Sequence, residues 1–378
     1  MTPQTSDAVA VTALGMMTPL GRNAVVSCAA ARAGITRVTE LKNLDFSGDA
    51  AFGGETMAEV PTISGAIVRG IGDTFSGVAR ALMLGGPAID EILESRPLTD
   101  GERARTGFIL TLSDHFVLDA DARAHPGEAL PSVAWRRQTE SLLARLAEPR
   151  KLAPAPRQLV LRYGGNVGLA AGLQDATAWI ESNAVDRCIV GAIDSRAEAG
   201  FLQAAARLRL LRTADNPVGL TPGEAAAFLL LERPRDAARD RRPVVATIAT
   251  TTVGTSSTDL LAKDWLASGG ELADVLRAAL GAAPSVAFSI GDLNGTERRA
   301  VEWGNTLVRM GAQHGFPGLP TWFPALSFGD TGAASGAVGL CMAARAFARR
   351  YAPGGTGLVW LSSESGAKAA IVVQAPAN

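Results

Sequence analysis

Cysteine and histidine are scarce in this sequence. The 378 residues contain three of each, at widely separated positions. A disulfide-stabilised scaffold and a cysteine-rich zinc module are excluded, because both need closely spaced cysteines. The count is still compatible with one active site built from a single cysteine and histidine. We expect Cys28, Cys188 and Cys341 to be buried free thiols, since each lies in an alanine-rich or apolar run.

The sequence also has no excess of charge of either sign and no long apolar run. Lys and Arg number 36 and Asp and Glu number 37, so nothing in the charge favours a nucleic-acid partner. The start of the chain lacks the basic and apolar regions of a secretory signal. No segment has the roughly 18 consecutive apolar residues of a membrane-spanning helix. The sequence therefore predicts no membrane partner and a reducing cytoplasm as the location.

Several signatures of cofactor and nucleophile sites are missing as well. The glycine pairs do not form the patterns that hold phosphates at the start of a helix, so we expect no nucleotide cofactor. No G-x-S-x-G turn is present to hold a serine nucleophile. His115, His125 and His314 are isolated from one another, which argues against a metal site.

Strand and helix patterns alternate along the chain. Hydrophobic residues make up 47 % of it, which is enough for a large core. The order of strands and helices predicts a parallel or mixed sheet covered by helices. A polar excursion at 114–156 is expected to carry one amphipathic helix, 134–147. Two halves of similar order, 1–235 and 236–378, indicate an internal duplication.

Six segments resemble motifs of the thiolase-fold condensing enzymes, and of the β-ketoacyl synthases in particular. They follow the family's order from residue 8 to residue 373: VAVTALGMMTPLG, CIVGAIDS, GLTPGEAAAFLLLERP, DLNGTE, FGDTGAASGAVGL and SSESGAKAAIVV. The resemblance implies an α/β fold of two similar βαβαβαββ halves in a five-layered α-β-α-β-α arrangement. It also implies a dimer that pairs through the strand before the nucleophile, where this chain has a charged Arg162.

The same resemblance locates the positions of the chemistry. Condensing enzymes hold an acyl group on a cysteine at the start of a buried helix, and two histidines assist decarboxylation. The motifs place the nucleophile at Asn166, the histidines at Asn294 and Asp330, and a supporting lysine at Ala325. Asn can imitate an acylated thiol by hydrogen bonding but cannot carry an acyl chain. An ionised Asp330 would repel a malonyl carboxylate.

Two acidic residues near these positions have simpler interpretations. Asp292 is expected to cap a turn or a helix. Glu224 corresponds to a family glutamate that supports the fold. With all four catalytic positions replaced, the resemblance implies a degenerate ketosynthase with no catalytic residue, no cofactor and no metal.

Four functions remain open on the sequence alone. The first is a non-catalytic adaptor that binds another protein, similar to the ketosynthase-like proteins associated with type VI secretion effector loading. The second is a subunit like a chain length factor, paired with an active β-ketoacyl synthase. The third is a condensing enzyme or acyltransferase that uses Asp330 or Cys188. The fourth is a sensor that binds acyl-CoA or an acyl carrier protein without a covalent bond. The short chain and Asn166 favour the adaptor.

Overall fold

Apolar runs of the sequence form long buried strands, and the small-residue segments between them form the helices that cover them. A computed structural model describes residues 8–41, 62–71, 74–127, 132–265, 268–281, 285–311, 316 and 318–376. Within these ranges the strands are β1 (Val9–Met17), β2 (Val38–Glu40), β3 (Ser64–Ala66), β4 (Thr106–Leu112), β5 (Leu159–Tyr163), β6 (Arg187–Ser195), β7 (Glu224–Glu232), β8 (Ala246–Thr255), β9 (Phe288–Gly291), β10 (Thr321–Trp322), β11 (Thr356–Ser362) and β12 (Ala367–Gln374). The helices are α1 (Ala24–Arg32), α2 (Gly77–Ser95), α3 (Asp100–Ala104), α4 (Phe116–Ala124), α5 (Ser132–Thr139), α6 (Leu142–Ala147), α7 (Gly168–Glu181), α8 (Ala199–Arg207), α9 (Pro234–Arg239), α10 (Gly270–Leu280), α11 (Glu297–Met310), α12 (Ala325–Phe328) and α13 (Ser335–Ala348).

Ten of the described strands form one mixed sheet. Its order is β10-β9-β11-β12-β8-β1-β7-β6-β4-β5. Five strands lie on each side of the β8–β1 junction. Counted from the edge of the sheet to the junction, each set runs third, second, fourth, fifth and first in its order along the chain. At the junction β1 and β8 pair antiparallel, with Val9 opposite Ile248. The strand order therefore repeats within the chain.

Helices pack on this sheet in layers. Between the two sets of strands lie α7, which contacts β6 and β8, and α13, which contacts β7 and β11. The outer faces are covered by α2 on one side and α10 on the other. Helix α13 packs closely on β11, since a Cβ on Gly336 would lie 2.9 Å from a methyl carbon of Leu361. The predicted fold class, an α/β thiolase-like arrangement, is confirmed.

The predicted single helix over 134–147 is wrong. Two helices, α5 and α6, occupy this stretch with a break at residues 140–141. At the end of α5 the hydroxyl of Thr139 donates to the carbonyls of Trp135 and Arg136, both at 3.0 Å. The Tyr163 hydroxyl also donates to the Arg136 carbonyl, at 2.9 Å. Side chains thus take up carbonyls that a continuing helix would use.

The apolar stripe of that stretch does form a packing face. Leu142, Leu143 and Leu146 are buried in the cluster that covers the outer side of β4 and β6. The three cysteines are free and buried, as predicted. No helix in the described ranges has the length and apolar character to cross a membrane. The boundary between the two halves at residues 235 and 236 stays a prediction.

Candidate functional site

Three of the four predicted catalytic positions lie in loops on one end of the sheet. Asn166 lies in a short 3-10 turn at the start of α7. Asn294 lies between β9 and α11, and Asp330 lies between α12 and α13. Asn166, Asn294 and Asp330 are 1 %, 5 % and 2 % exposed. Ala325, the predicted lysine position, begins α12, and its methyl group brings no polar atom to the site.

A glycine shapes the turn that presents Asn166. Gly165 has a φ of +54°, in the left-handed region that side chains rarely adopt. A Cβ at this position would lie 2.7 Å from the carboxylate of Asp114, which follows β4. The Gly-Gly pair before Asn166 is therefore required by local backbone geometry.

Both ends of the Asn166 amide are used within the protein. Its Nδ2 donates to Asp292 Oδ2 at 3.1 Å, and its Oδ1 accepts from Arg196 at 3.3 Å. Asp292 also accepts the backbone N–H of Ser362, with 3.0 Å to Oδ1. The expectation that Asp292 caps a turn or a helix is wrong, because its carboxylate instead binds the Asn166 turn and the end of β11.

Asn294 and Asp330 form a second pair of the same kind. The Asn294 Nδ2 donates to Asp330 Oδ2 at 3.0 Å, and its Oδ1 accepts the hydroxyl of Thr296 at 2.8 Å. The other oxygen of Asp330 accepts the backbone N–H of Gly332 at 2.9 Å. The two positions that would carry histidines therefore contact each other directly.

Arg299 connects the two pairs. One guanidinium nitrogen lies 3.2 Å from Asp292 Oδ2, and another lies 2.8 Å from Glu364 Oε1. Glu364 Oε1 also accepts a long hydrogen bond from Asn294 at 3.5 Å. Arg299 is 2 % exposed, so this link is shielded from water. We call the set Asn166, Arg196, Asp292, Asn294, Arg299, Asp330 and Glu364 the polar network.

The pKa values of the two aspartates of the polar network are shifted in opposite directions. Burial raises the pKa of Asp292 to about 6, although Arg299 and the Ser362 N–H act to lower it. Burial also acts to raise the pKa of Asp330, but the Arg196 and Arg299 guanidiniums outweigh it and leave that pKa below its usual value. Near neutral pH the site therefore holds an ionised Asp330.

The backbone N–H groups near the start of α13 are also taken by carboxylates. Gly332 N–H donates to Asp330, and Ala333 N–H donates to Asp194 Oδ2 at 2.8 Å. Such N–H groups stabilise an oxyanion in acyl-transfer enzymes only when they are free to bind it. Here the protein's own acidic side chains fill them, so the developing charge of a substrate has no free donor at these positions.

None of the cysteines supplies a nucleophile to the polar network. Burial raises the pKa of the Cys28 thiol to about 12 and raises the pKa values of Cys188 and Cys341 as well. A thiol that stays protonated is a poor nucleophile. Cys188 is fully buried inside β6, which argues against its use as an alternative catalytic group.

The described histidines, His115 and His125, do not take the place of the two histidines that the resemblance predicts at Asn294 and Asp330. Burial lowers the pKa of His115 to about 4, so its ring is neutral at pH 7. His125 contacts Asp121 through Nδ1 at 2.9 Å, at the opposite end of α4 from His115. His314 lies outside the described residues. Neither described histidine forms a hydrogen bond with the polar network.

Two pockets lie next to the polar network. A cavity of about 80 Å³ is lined mainly by apolar side chains, together with Arg196, Asp194 and His115. A surface groove of about 440 Å³ reaches Arg299 and Glu364 from the solvent. Sites that bury a drug-sized ligand usually have roughly 300–1,000 Å³. The cavity of about 80 Å³ is too small for a long acyl chain.

A buried lysine lies behind the network. Lys368 is 0 % exposed, and its Nζ lies 2.6 Å from Glu302 Oε1 and 2.8 Å from Ser362 Oγ. Ser362 Oγ donates to the other oxygen of Glu302 at 2.6 Å, and Ser362 N–H binds Asp292. This ion pair is closed to solvent, and it fixes the strand end that holds Asp292.

Sequence reasoning missed most of the charged members of the network. Arg196, Arg299 and Glu364 were not singled out, although Arg196 directly follows CIVGAIDS, Glu364 lies within SSESGAKAAIVV and Arg299 lies two residues after DLNGTE. The available signal was a charged residue directly after a buried apolar strand or a glycine-rich turn, where solvent exposure is not expected. Glu224 does support the fold, since it accepts Ser195 Oγ at 2.8 Å and pairs with Arg80.

Comparison with known proteins clarifies the architecture. No protein-family model matches the chain, and no curated protein matches it. Among solved structures, one similar structure is a type II polyketide synthase acyl carrier protein in complex with its ketosynthase bound to the hexaketide. The TM-score is 0.78 at 16 % identity, over 98 % of this chain and 100 % of that chain. The chain has the ketosynthase fold.

Two further structures share this ketosynthase fold. The ishigamide ketosynthase/chain length factor matches with a TM-score of 0.68 and 21 % identity, over 98 % of this chain and 100 % of that chain. A ketosynthase domain for oxazolomycin from Streptomyces albus matches with a TM-score of 0.72 and 16 % identity, over 98 % and 76 %. At these identities the likeness concerns the fold, and the chemistry has to be argued from the polar network itself.

Proposed function

We propose that this protein is a non-catalytic member of the ketosynthase fold that works by binding another protein. One observation carries the proposal: the polar atoms at Asn166, Asn294 and Asp330 are bound to each other and to neighbouring charges. No nucleophile is present at Asn166 to hold an acyl chain. The fold has kept the backbone of an active site while its side chains bind one another.

The charge of the polar network supports the same proposal. Decarboxylative condensation develops negative charge, which needs free donors or cations in the site. Asp330 is ionised here, and the two guanidiniums are already surrounded by carboxylates. A malonyl carboxylate would therefore meet an acidic site whose cations are occupied.

Acylation is the direct test of this proposal. The protein is incubated separately with acyl-CoA and with acylated carrier protein, and its intact mass is measured, with an active ketosynthase as a parallel control. We expect the control to gain an acyl group and this protein to keep its mass. A covalent adduct on this protein that disappears in Asp330→Asn or Cys188→Ser would refute the proposal and favour a condensing enzyme or acyltransferase.

A second candidate is a subunit like a chain length factor, paired with an active ketosynthase. The supporting observation is that β5 ends the sheet order, so no described strand covers its outer edge. All five residues of β5 are only partly buried, and Arg162 pairs within the chain with Asp175. An uncovered apolar edge is suited to strand pairing with another chain.

Hydrogen exchange tests this second candidate. The protein is mixed with an active ketosynthase from the same host, and exchange is followed at Leu159–Tyr163 alone and in the mixture. Pairing through β5 should slow exchange there and leave the exposed segment at residues 235–242 unchanged. Equal exchange in both samples, with no complex detected in gel filtration, would rule out this pairing.

The type VI role, the cytoplasmic location and the sensor hypothesis have less structural support. A role in type VI effector loading and a cytoplasmic location stay predictions. A non-covalent sensor of acyl-CoA or acyl carrier protein would have to use the groove at Arg299, since the cavity beside Arg196 has only about 80 Å³. Thermal stabilisation by millimolar acyl-CoA would support the sensor, and no shift in Tm would count against it.

A further inference from the structure

A second groove lies at the opposite end of α13 from the polar network. It has about 440 Å³ and lies where the last turns of α1 and α13 meet, lined by Val25, Cys28, Arg32, Arg345, Arg349 and Tyr351. Helix α13 has 14 residues, so its two ends are about 20 Å apart at 1.5 Å per residue. This groove, which we call the arginine groove, is thus separate from the site described above.

Its three arginines form no ion pair within the described residues. Arg32 lies over the ring of Tyr351, with 4.0 Å from its Cζ to the ring centroid. Arg345 is partly buried, and Arg349 is exposed. Within the described ranges, none of the three guanidiniums forms an ion pair or donates a hydrogen bond. The N–H donors of these guanidiniums therefore face solvent and are open to a ligand that enters the groove.

The surroundings of the arginine groove do not account for these donors. Glu91 acts on Arg345 electrostatically, but its carboxylate already accepts the backbone N–H groups of Met16 and Ala24, at 2.8 and 2.9 Å. Two helix C-termini meet here, and their negative ends favour nearby cations. Capping would bring the guanidiniums onto the last carbonyls, and in the described part of the chain none of the three donates to one.

The same helix ends act most strongly against an anion that lies close to both of them. A compact, doubly charged phosphate in the groove would lie beside the carbonyl ends of two helices, which repel it. Carboxylates on a peptide can instead meet each guanidinium separately at the rim, in the bidentate geometry that arginine favours. Val25 lines the groove and is 51 % exposed, which adds an apolar contact.

We propose that the arginine groove binds a segment of a partner protein that carries several carboxylates next to an apolar side chain. This inference rests on the proposed role in protein binding and names a surface for it. The acylation test does not depend on this groove, so a failure here leaves the absence of catalysis untouched, and an acyl adduct there would leave this binding result standing.

The test uses a fluorescein-labelled peptide of glutamate and leucine, followed by fluorescence anisotropy with the full chain. The variant is Arg345→Gln with Arg349→Gln. The control is Arg137→Gln with Arg241→Gln, two exposed arginines elsewhere that change the net charge equally. We expect the Kd to rise about tenfold or more in the groove variant and to stay within about twofold in the control. Circular dichroism melting checks that both variants are folded.

Four other outcomes would overturn this inference. The wild-type protein could fail to bind the peptide at millimolar concentration. The groove variant could bind it as tightly as the wild type, or a matching peptide of glutamine and leucine could bind equally well. Inorganic pyrophosphate could displace the peptide at equal concentration, which would assign the groove to small phosphate anions instead.

Discussion

The side-chain amide of Asn166 donates to Asp292 across 3.1 Å and joins the turn before α7 to the loop after β9. These residues are 126 positions apart in the sequence. The bond joins the amide at the predicted nucleophile position to a carboxylate whose pKa is raised. The position is thereby part of the structural core of the molecule.

Replacing Asn166 should therefore reduce stability. Asn166→Ala removes two hydrogen bonds and leaves Asp292 and Arg196 short of a partner in a buried site. An unsatisfied buried group costs about 1–3 kcal/mol, so we expect the free energy of unfolding to fall by that amount. Urea denaturation measures it. Gln138→Ala, at an exposed position in α5, should change stability by less than about 0.5 kcal/mol.

The pH dependence of stability should report the buried Asp292. Its pKa is about 6 in the folded protein and about 3.9 in the unfolded chain. Between these values the folded state holds the proton that the unfolded state has released, so this contribution to stability is present below about pH 4 and lost as the pH rises through 6. Each tenfold difference in proton affinity between the two states corresponds to about 1.4 kcal/mol of stability.

Comparison with Asp292→Asn isolates this contribution from those of other carboxylates. The free energy of unfolding of the wild type, minus that of the variant, should decrease from pH 4 to pH 6 and then level off. A difference that stays flat, or rises with pH, would show that Asp292 has an ordinary or lowered pKa.

The buried ion pair behind the network should be costly to break. Lys368→Met leaves Glu302 as an uncompensated buried charge, which costs about 3–5 kcal/mol. Changing Glu302→Gln as well should restore part of that loss, because the stranded charge is removed. The exposed pair of Arg277 and Asp274 is the control, and Arg277→Met should cost about 1 kcal/mol or less in thermal or urea unfolding.

Two glycines should respond to alanine in opposite ways. Gly165→Ala forces a left-handed φ on a residue whose Cβ would lie 2.7 Å from the Asp114 carboxylate, so we expect a loss of about 1–3 kcal/mol. Gly101→Ala, in α3 with no atom near its added Cβ, should be neutral or gain about 0.5–1 kcal/mol. Equal effects in chemical denaturation would show that the turn before Asn166 is not constrained.

The predicted and observed structures agree best where local pattern controls the result. The apolar runs within CIVGAIDS and GLTPGEAAAFLLLERP form the buried strands β6 and β7. The break between α5 and α6 was not predicted, because it depends on Tyr163, which is 27 positions from the carbonyl it binds. Strand β10, with two residues, is too short to give a pattern.

The sequence by itself determined the class of fold and the residue types at the four positions where the family resemblance predicts catalytic groups. Periodicity and glycine-rich turns are local properties, and the residue type at Asn166 excludes a thiol whatever the packing. Only the tertiary structure decided how that site is filled. Arg196, Arg299 and Glu364 come from distant segments, and their bonds to the two asparagines and their neighbours exist because packing brings them into a shielded interior, where charges interact strongly.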